Sequence, residues 1–496
     1  MTEVQTKAGT VRGTVVAGVA SFKGIPFAAP PVGDRRFRAP EPAASWSGVR
    51  DASAYGPTAP QPGYPPPLDE LLANVIIDGD DYLNLNVWTP EQAIPAPGEA
   101  DRGRRPVMVW IHGGAFVCGS GAVYDGTAFA RDGVVLVTIN YRLGAEGFLW
   151  FGEGTPNLGI LDQIAALEWV RDNITAFGGD PDAVTIFGES AGAMSVATLL
   201  AMPGAQGLFR RAIVQSGGGH IAMSPDSART VARRFAEILG VAPTRQAVAA
   251  VPAPTILRAQ QTLSAEITKK PLRRLWGDVA RNLLPFEPVI DGTILPRLPE
   301  HAIADGVGAE VDLLVGSNAD EGRLFIAPTG TAPPMPSLVP YLFARTAGVA
   351  NARAALRSYR ASRPGSSAGD LLAAFMTDSY FRAPALRLAE GHRGTFVYEF
   401  RWPAAGVAGL GSCHALEIAF VFDTLSSPEF QAMTGGEPPQ ALADAMHRAW
   451  IDFATTGDPG WPAYDTDTRA TMTFDHEPAL HTDPRPADRL QWAGAR

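Results

Sequence analysis

The run Thr185-Ile186-Phe187-Gly188-Glu189-Ser190-Ala191-Gly192-Ala193 constrains this chain more than any other stretch. It is a Gly-x-Ser-x-Gly pentapeptide. An apolar β-type run, residues 184–187, comes directly before it, and a mostly apolar helical run, residues 194–200, directly after. Strand, sharp turn and helix in that order make a nucleophile elbow. So sharp a turn leaves almost no room for side chains at positions 188 and 192, and glycine stands at both. Ser190 is left at the tip with its Oγ exposed. The helix that follows aims N–H groups and the positive end of its dipole at the same point.

A second apolar β-type run, residues 107–111, flows into His112-Gly113-Gly114-Ala115-Phe116. A Gly-rich loop after an early strand is where such an elbow finds its second oxyanion donor. Consecutive small residues let backbone N–H groups converge on the charge that develops on a carbonyl oxygen, worth about 3 kcal/mol per donor. His112 is expected to support this loop rather than act as base.

A serine hydroxyl is a poor nucleophile until a base removes its proton. The chain order that accompanies the elbow is serine, acid, histidine. It leaves His220, His301, His392, His414, His447, His476 and His481. His447 sits in a helical pattern, and His476 and His481 sit in a charged tail. His414 lies in Gly411-Ser412-Cys413-His414-Ala415-Leu416-Glu417, a loop after the β-type run 396–400, where a mobile imidazole can reach an elbow. For the acid, residues 311–315 open into Gly316-Ser317-Asn318-Ala319-Asp320-Glu321-Gly322. A carboxylate just past the end of a strand orients an imidazole and stabilises its charged form. Spacing leaves both Asp320 and Glu321 open.

The rest of the chain agrees with an α/β organisation. Short β-type runs at 107–111, 134–139, 184–187, 313–315 and 396–400 alternate with helical patterns, which predicts a mainly parallel sheet covered by helices. Ile160, Ile164, Leu167, Val170 and Ile174 recur at helical spacing until Gly178-Gly179. Leu442, Met446, Ala449 and Phe453 mark a late helix ending at Gly457. Gly (52) and Pro (43) are abundant, yet below the roughly 25% at which disorder is expected. Proline concentrates in long loops, at 60–67 and 327–340, of the kind that wall pockets. At about 150 residues per domain the length allows three domains. No linker-like shift in composition flanks these loops, so one elaborated domain is expected, residues 1–496.

Charge and targeting narrow the classes further. Lys and Arg number 41 against 51 Asp and Glu, a net charge of −10, which argues against nucleic acid as partner. No uninterrupted apolar run of about 18 residues is present, so no membrane span is expected. Met1-Thr2-Glu3-Val4 carries neither the basic nor the apolar part of a signal peptide. A cytoplasmic protein is expected, unless a leader has been removed. Cys118 and Cys413 match no zinc or redox spacing and are expected to be buried free thiols.

With these residues in view, the chain resembles the type-B carboxylesterase family, which includes cholinesterases and bacterial p-nitrobenzyl esterases. The resemblance runs from Val4 to about Phe474. It is carried by Phe22-Lys23-Gly24-Ile25-Pro26-Phe27-Ala28, Pro30-Pro31-Val32-Gly33 and Arg36-Phe37, and by segments 80–88, 157–163, 177–181, 215–217, 288–292 and 450–459. It implies the α/β-hydrolase fold: a central, mostly parallel twisted sheet flanked by helices. Long loops and helical insertions, around 59–82, 255–285 and 325–395, would wall an active-site gorge.

The resemblance also implies roles. Ser190 matches the nucleophile, Glu321 the acid and His414 the base, with Asp320 structural and Glu417 as support for His414. Gly114, Ala115 and Ala191 match the oxyanion donors, and Gly113 shapes the loop. Three departures stand out. Ala59 and Tyr82 occupy the positions of the family's N-terminal disulfide, so that staple is missing. Ala115 replaces a glycine of the oxyanion loop, as in bacterial relatives. The loop 59–82 has no tryptophan, which disfavours choline esters.

The implied activity is hydrolysis of small carboxylic esters through an acyl-serine intermediate, with no metal or organic cofactor. Two alternatives stand beside it: a non-catalytic interaction protein on the same fold, and amide or carbamate hydrolysis in the same site. Phe116, Phe286, Leu324 and Phe325 are candidates for an apolar pocket, with Trp276 a weaker one. Glu189 is a candidate for favouring cationic groups. An apolar gorge predicts neutral esters with short or medium acyl chains or aryl groups. Monomer and homodimer are both compatible with the sequence.

Overall fold

The computed structural model describes residues 1–96 and 103–494, which fall into two compact units. The first comprises Met1–Gly63, Asn74–Ala212 and Ile221–Ala302. Its strands are β1 (Thr2–Gln5), β2 (Thr10–Val16), β3 (Val19–Pro26), β4 (Val49–Asp51), β5 (Asn84–Pro90), β6 (Arg105–Ile111), β7 (Val135–Ile139) and β8 (Gly179–Glu189). Their order is β1-β2-β3-β5-β7-β6-β8, with β4 beside β2. From β1 to β7 the pairings along this order are antiparallel. Strands β7, β6 and β8 are parallel. Val107 to Ile111 and all of β7 are buried. That suits continuous Val/Ile/Leu runs, which only a sheet covered on both faces can bury.

Helices supply the cover. The predicted helix spans Leu158–Asn173 with Ile160, Ile164, Leu167 and Val170 buried. A 3-10 turn, Ile174–Phe177, follows, and Gly178 closes it at φ 80°. Such a left-handed stop costs glycine nothing. One length differs from expectation. β8 begins at Gly179 rather than near Val184, because Gly179 pairs with Arg105 ahead of an irregularity in the ladder. Polar Asp180 and Asp182 and the proline between them hid this extension.

The second unit comprises Tyr64–Ala73, Ile213–His220 and Ile303–Arg496. It holds the parallel strands β10 (Asp312–Asn318), β11 (Phe396–Phe400) and β12 (Ala470–Phe474). The antiparallel strand β13 (Ala479–Thr482) lies beside β12. A further strand, β9 (Arg211–Gln215), is the stretch in which the chain passes from one unit to the other. The late helix spans Gln440–Thr456, with Gly457 at φ 84° as its stop. A helical cluster (Leu338–Thr346, Ala352–Ser362, Ala368–Thr377) packs around Ala344, Tyr359, Leu371, Phe375 and Trp492. The loop expected over 327–340 stops at Ser337, and Pro340 sits in the first turn of the helix Leu338–Thr346. There a missing N–H leaves no broken helical bond.

Candidate active site

In the first unit, register brings two strand ends together. Ile111 of β6 pairs with Gly188 of β8, so the loop 112–116 and Ser190 leave the sheet side by side. Ser190 has φ 57° and ψ −123° and caps the helix Ala191–Ala201. That conformation is strained for a residue with a Cβ, and strain of this kind concentrates at functional positions. The flanking glycines are sterically required. A Cβ on Gly192 would lie 1.9 Å from the Ile111 carbonyl oxygen, and one on Gly188 2.5 Å from the same atom.

The facing loop turns through three consecutive left-handed residues, Gly114 (φ 104°), Ala115 (φ 55°) and Phe116 (φ 61°). It is held from below. His112 is buried, its Nδ1 donates to the Gly113 carbonyl at 2.9 Å, and its ring stacks on Tyr141 at 4.5 Å. Tyr141 in turn donates its hydroxyl to the His112 carbonyl at 2.8 Å. Burial lowers the His112 pKa to about 4, so the ring is a neutral strut. Glu189 is buried against the same loop: a Cβ on Gly113 would meet its carboxylate at 2.9 Å. This glycine therefore shapes the loop by close approach.

In the second unit the same device brings Glu321 and His414 together. Asn318 of β10 pairs with Phe400 of β11, and the Ala319 N–H donates to the Phe400 carbonyl at 2.9 Å. Asp320 and Ser412 then tie the two following loops. The Asp320 N–H donates to the Ser412 carbonyl (2.9 Å), and the Ser412 N–H to Asp320 Oδ2 (3.1 Å). With Asp320 so engaged, Glu321 turns inward. Its Oε1 accepts the Asn318 N–H at 2.7 Å, and its Oε2 lies 2.6 Å from His414 Nδ1. Both side chains are buried. Glu417, three residues after His414, is fully buried and accepts from Asn318 Nδ2 (2.6 Å) and Gln215 Nε2 (3.3 Å). Trp450 Nε1 donates to Gln215 at 2.9 Å.

The pocket candidates separate. Phe116, Phe286 and Leu324 have no exposed surface; Phe116 packs on Phe148 at 4.9 Å and Phe286 on Phe235 at 5.9 Å. Phe325 is 41% exposed and its ring lies 5.2 Å from that of His414. One aromatic partner escaped sequence reasoning. Phe381 approaches His414 at 4.6 Å and stacks on Phe325 at 6.3 Å. It lies on a single π-helical turn, Asp378–Arg382. Such turns recur at functional sites, but no local pattern in Asp-Ser-Tyr-Phe-Arg announces one.

The two cysteines are buried and free. Ala59 is buried, and Tyr82 donates its hydroxyl to Glu146 at 2.9 Å, which also pairs with Arg36 at 2.6 Å. Among the described residues, no cluster of three or more His, Cys, Asp and Glu side chains is placed to hold a metal ion. No described helix is long and apolar enough to cross a membrane.

Comparison with known proteins agrees with this geometry. The profile of the carboxylesterase family matches residues 1–491. The para-nitrobenzyl esterase of Bacillus subtilis (strain 168) is 39% identical over 507 residues, covering 98% of this chain and 97% of that protein. A solved PNB esterase superposes with a TM-score of 0.85 at 37% identity, covering 99% of both chains. A carboxylesterase of Geobacillus stearothermophilus superposes with a TM-score of 0.83 at 38% identity, covering 99% of this chain and 100% of that one. The parallel strands with their helical cover are thus those of an α/β-hydrolase fold, and the chain belongs to the carboxylesterase family, whose members hydrolyse carboxylic esters.

Proposed function

We propose that Ser190, His414 and Glu321 act as one triad that hydrolyses esters through an acyl-serine intermediate. The observation that carries this reading is the strained Ser190 at the head of its helix, a conformation of the kind that concentrates at functional positions. The Glu321–His414 bond supplies the complement. With its Nδ1–H donating a hydrogen bond to Glu321, the imidazole carries its lone pair on Nε2, the tautomer a general base needs. In this reading His414 takes the Ser190 proton as Oγ attacks the ester carbonyl. The oxyanion is met by the N–H groups of Gly114, Ala115 and Ala191. The C–O bond to the alcohol then breaks, His414 returns its proton to the departing alkoxide, and the acyl group stays on Ser190. Water enters, gives a proton to the same imidazole and attacks the acyl carbon; the proton returns to Ser190 as the acid leaves. The reading treats residues 1–496 as one catalytic domain.

The rings of Phe325 and Phe381 beside His414 support neutral esters with apolar or aryl groups. The test is labelling with a fluorophosphonate and turnover of p-nitrophenyl acetate. A stoichiometric adduct on Ser190, and loss of turnover in Ser190→Ala with the fold retained, are expected. Retained turnover in that variant would refute the triad.

A further inference from the structure

Residues 268–275 are exposed without a break, and they read Thr-Lys-Lys-Pro-Leu-Arg-Arg-Leu. Four cations, Lys269, Lys270, Arg273 and Arg274, alternate with two leucines in a chain whose net charge is −10. Leu272 is 41% exposed and Leu275 42%. They lie three residues apart across one helical turn, closed by the Leu275 N–H on the Leu272 carbonyl at 2.8 Å, so their side chains share a face.

The segment is held rigidly from beneath. Trp276 is buried and donates its indole N–H to the Lys270 carbonyl at 3.0 Å. Two residues on, Asp278 accepts from the Ser224 N–H and the Ser227 hydroxyl at 2.9 and 2.8 Å. A groove beside it, lined by Arg233, Arg234, Lys269, Lys270, Leu275 and Trp276, extends the basic surface. Within it Arg234 is neutralised by Glu266 and Glu237. Lys269, Lys270, Arg233 and Arg274 form no ion pair among the described residues.

Packing gives no reason to hold two leucines and these cations in water on a rigid platform. Cations beside projecting apolar side chains match a lipid surface, where basic groups meet anionic headgroups and leucines enter the boundary of the acyl region. We infer that the segment 268–276 is a peripheral docking surface for an anionic lipid bilayer. The inference does not rest on the proposed triad. A soluble polyanion would use the cations and leave the leucines idle, so the lipid surface accounts for more of what is seen.

The test is flotation of the full chain with vesicles of phosphatidylcholine alone and of phosphatidylcholine mixed with phosphatidylglycerol. Binding is expected only to the mixed vesicles, and it should weaken as salt screens the headgroups. Lys269→Glu combined with Arg274→Glu should weaken binding at least about tenfold, since each basic residue near an anionic surface is worth roughly fivefold. Leu272→Ser combined with Leu275→Ser should weaken it several-fold at unchanged salt. Both variants should hydrolyse p-nitrophenyl acetate as the parent does, which shows them folded. Absence of binding, equal binding to both vesicle types, or loss with the charge variant but not the leucine variant would each overturn the proposal. The last pattern, with retention on heparin, would assign the patch to a soluble polyanion.

Discussion

Glu321 Oε2 and His414 Nδ1 are 2.6 Å apart, with both side chains buried. A carboxylate so placed fixes the imidazole tautomer and stabilises the imidazolium that forms when a proton arrives. Glu321→Gln keeps the shape and removes the charge. An amide can also present its N–H to Nδ1 and select the wrong tautomer. The expected result is a fall in kcat of about 10³- to 10⁴-fold with KM little changed. A fall of less than about tenfold would show that Glu321 is not the acid of the reaction.

His112 gives a pH prediction. Burial lowers its pKa to about 4 from the ordinary 6.5, against the opposing pull of its bond to the Gly113 carbonyl. Between these two values the unfolded chain binds a proton that the folded protein refuses. Stability contributed here is therefore complete above about pH 6.5 and declines as the pH falls toward 4. The loss approaches about 3 kcal/mol. Urea denaturation at pH 7 and pH 5 would measure it. In His112→Gln the group that titrates is gone, so the difference between the two pH values should shrink, although the variant is less stable at pH 7. An unchanged difference would place the acid sensitivity elsewhere.

The thiols lead to a third expectation. Burial raises Cys118 to about 12. Burial, with the carboxylates of Glu321 and Glu417 adding to it, drives Cys413 up as well. The attacking species is the thiolate, and neither site forms it near neutral pH. Iodoacetamide should leave the native protein unmodified by mass spectrometry and fully active, although Cys413 adjoins His414. Modification of both residues is expected only after denaturation. Rapid alkylation of the native protein with loss of activity would contradict the buried geometry.

The elbow was legible in the sequence because everything that makes it is local: strand, two glycines that admit no Cβ, serine and helix within a short run. The five expected strands and both helices were legible for the same reason, since burial on both faces leaves continuous apolar runs. The choice between Asp320 and Glu321 was not legible. Both follow β10, and what separates them is the tie from Ser412, in a loop 92 positions away, which occupies Asp320. Phe381 was hidden more deeply. Its approach to His414 depends on one π-helical turn and on packing between distant segments. Phe116, Phe286 and Leu324 were named for their place beside motifs, and such proximity does not say how deeply a side chain is buried; all three are fully buried.

Asn318 was singled out by no motif, yet it is bonded to both Glu321 and the loop that carries His414. Its N–H donates to Glu321 at 2.7 Å, and its side-chain amide donates to the Cys413 carbonyl at 2.7 Å and to Glu417 at 2.6 Å. The backbone bond survives substitution; the two side-chain bonds do not. Asn318→Ala would leave the Cys413 carbonyl without this donor immediately before His414, and would remove one donor from the buried Glu417 carboxylate. Hydrogen bonds to charged groups contribute about 1.5–3 kcal/mol each, so a loss of roughly 3 kcal/mol in stability is expected. The imidazole would also be less well positioned, and displacements near 1 Å can cost about a hundredfold. A fall in kcat of ten- to a hundredfold with little change in KM is therefore expected, read from steady-state kinetics on p-nitrophenyl acetate beside denaturation curves. A purely structural role predicts lower stability with kcat per folded molecule unchanged, and that outcome would remove Asn318 from the positioning of His414.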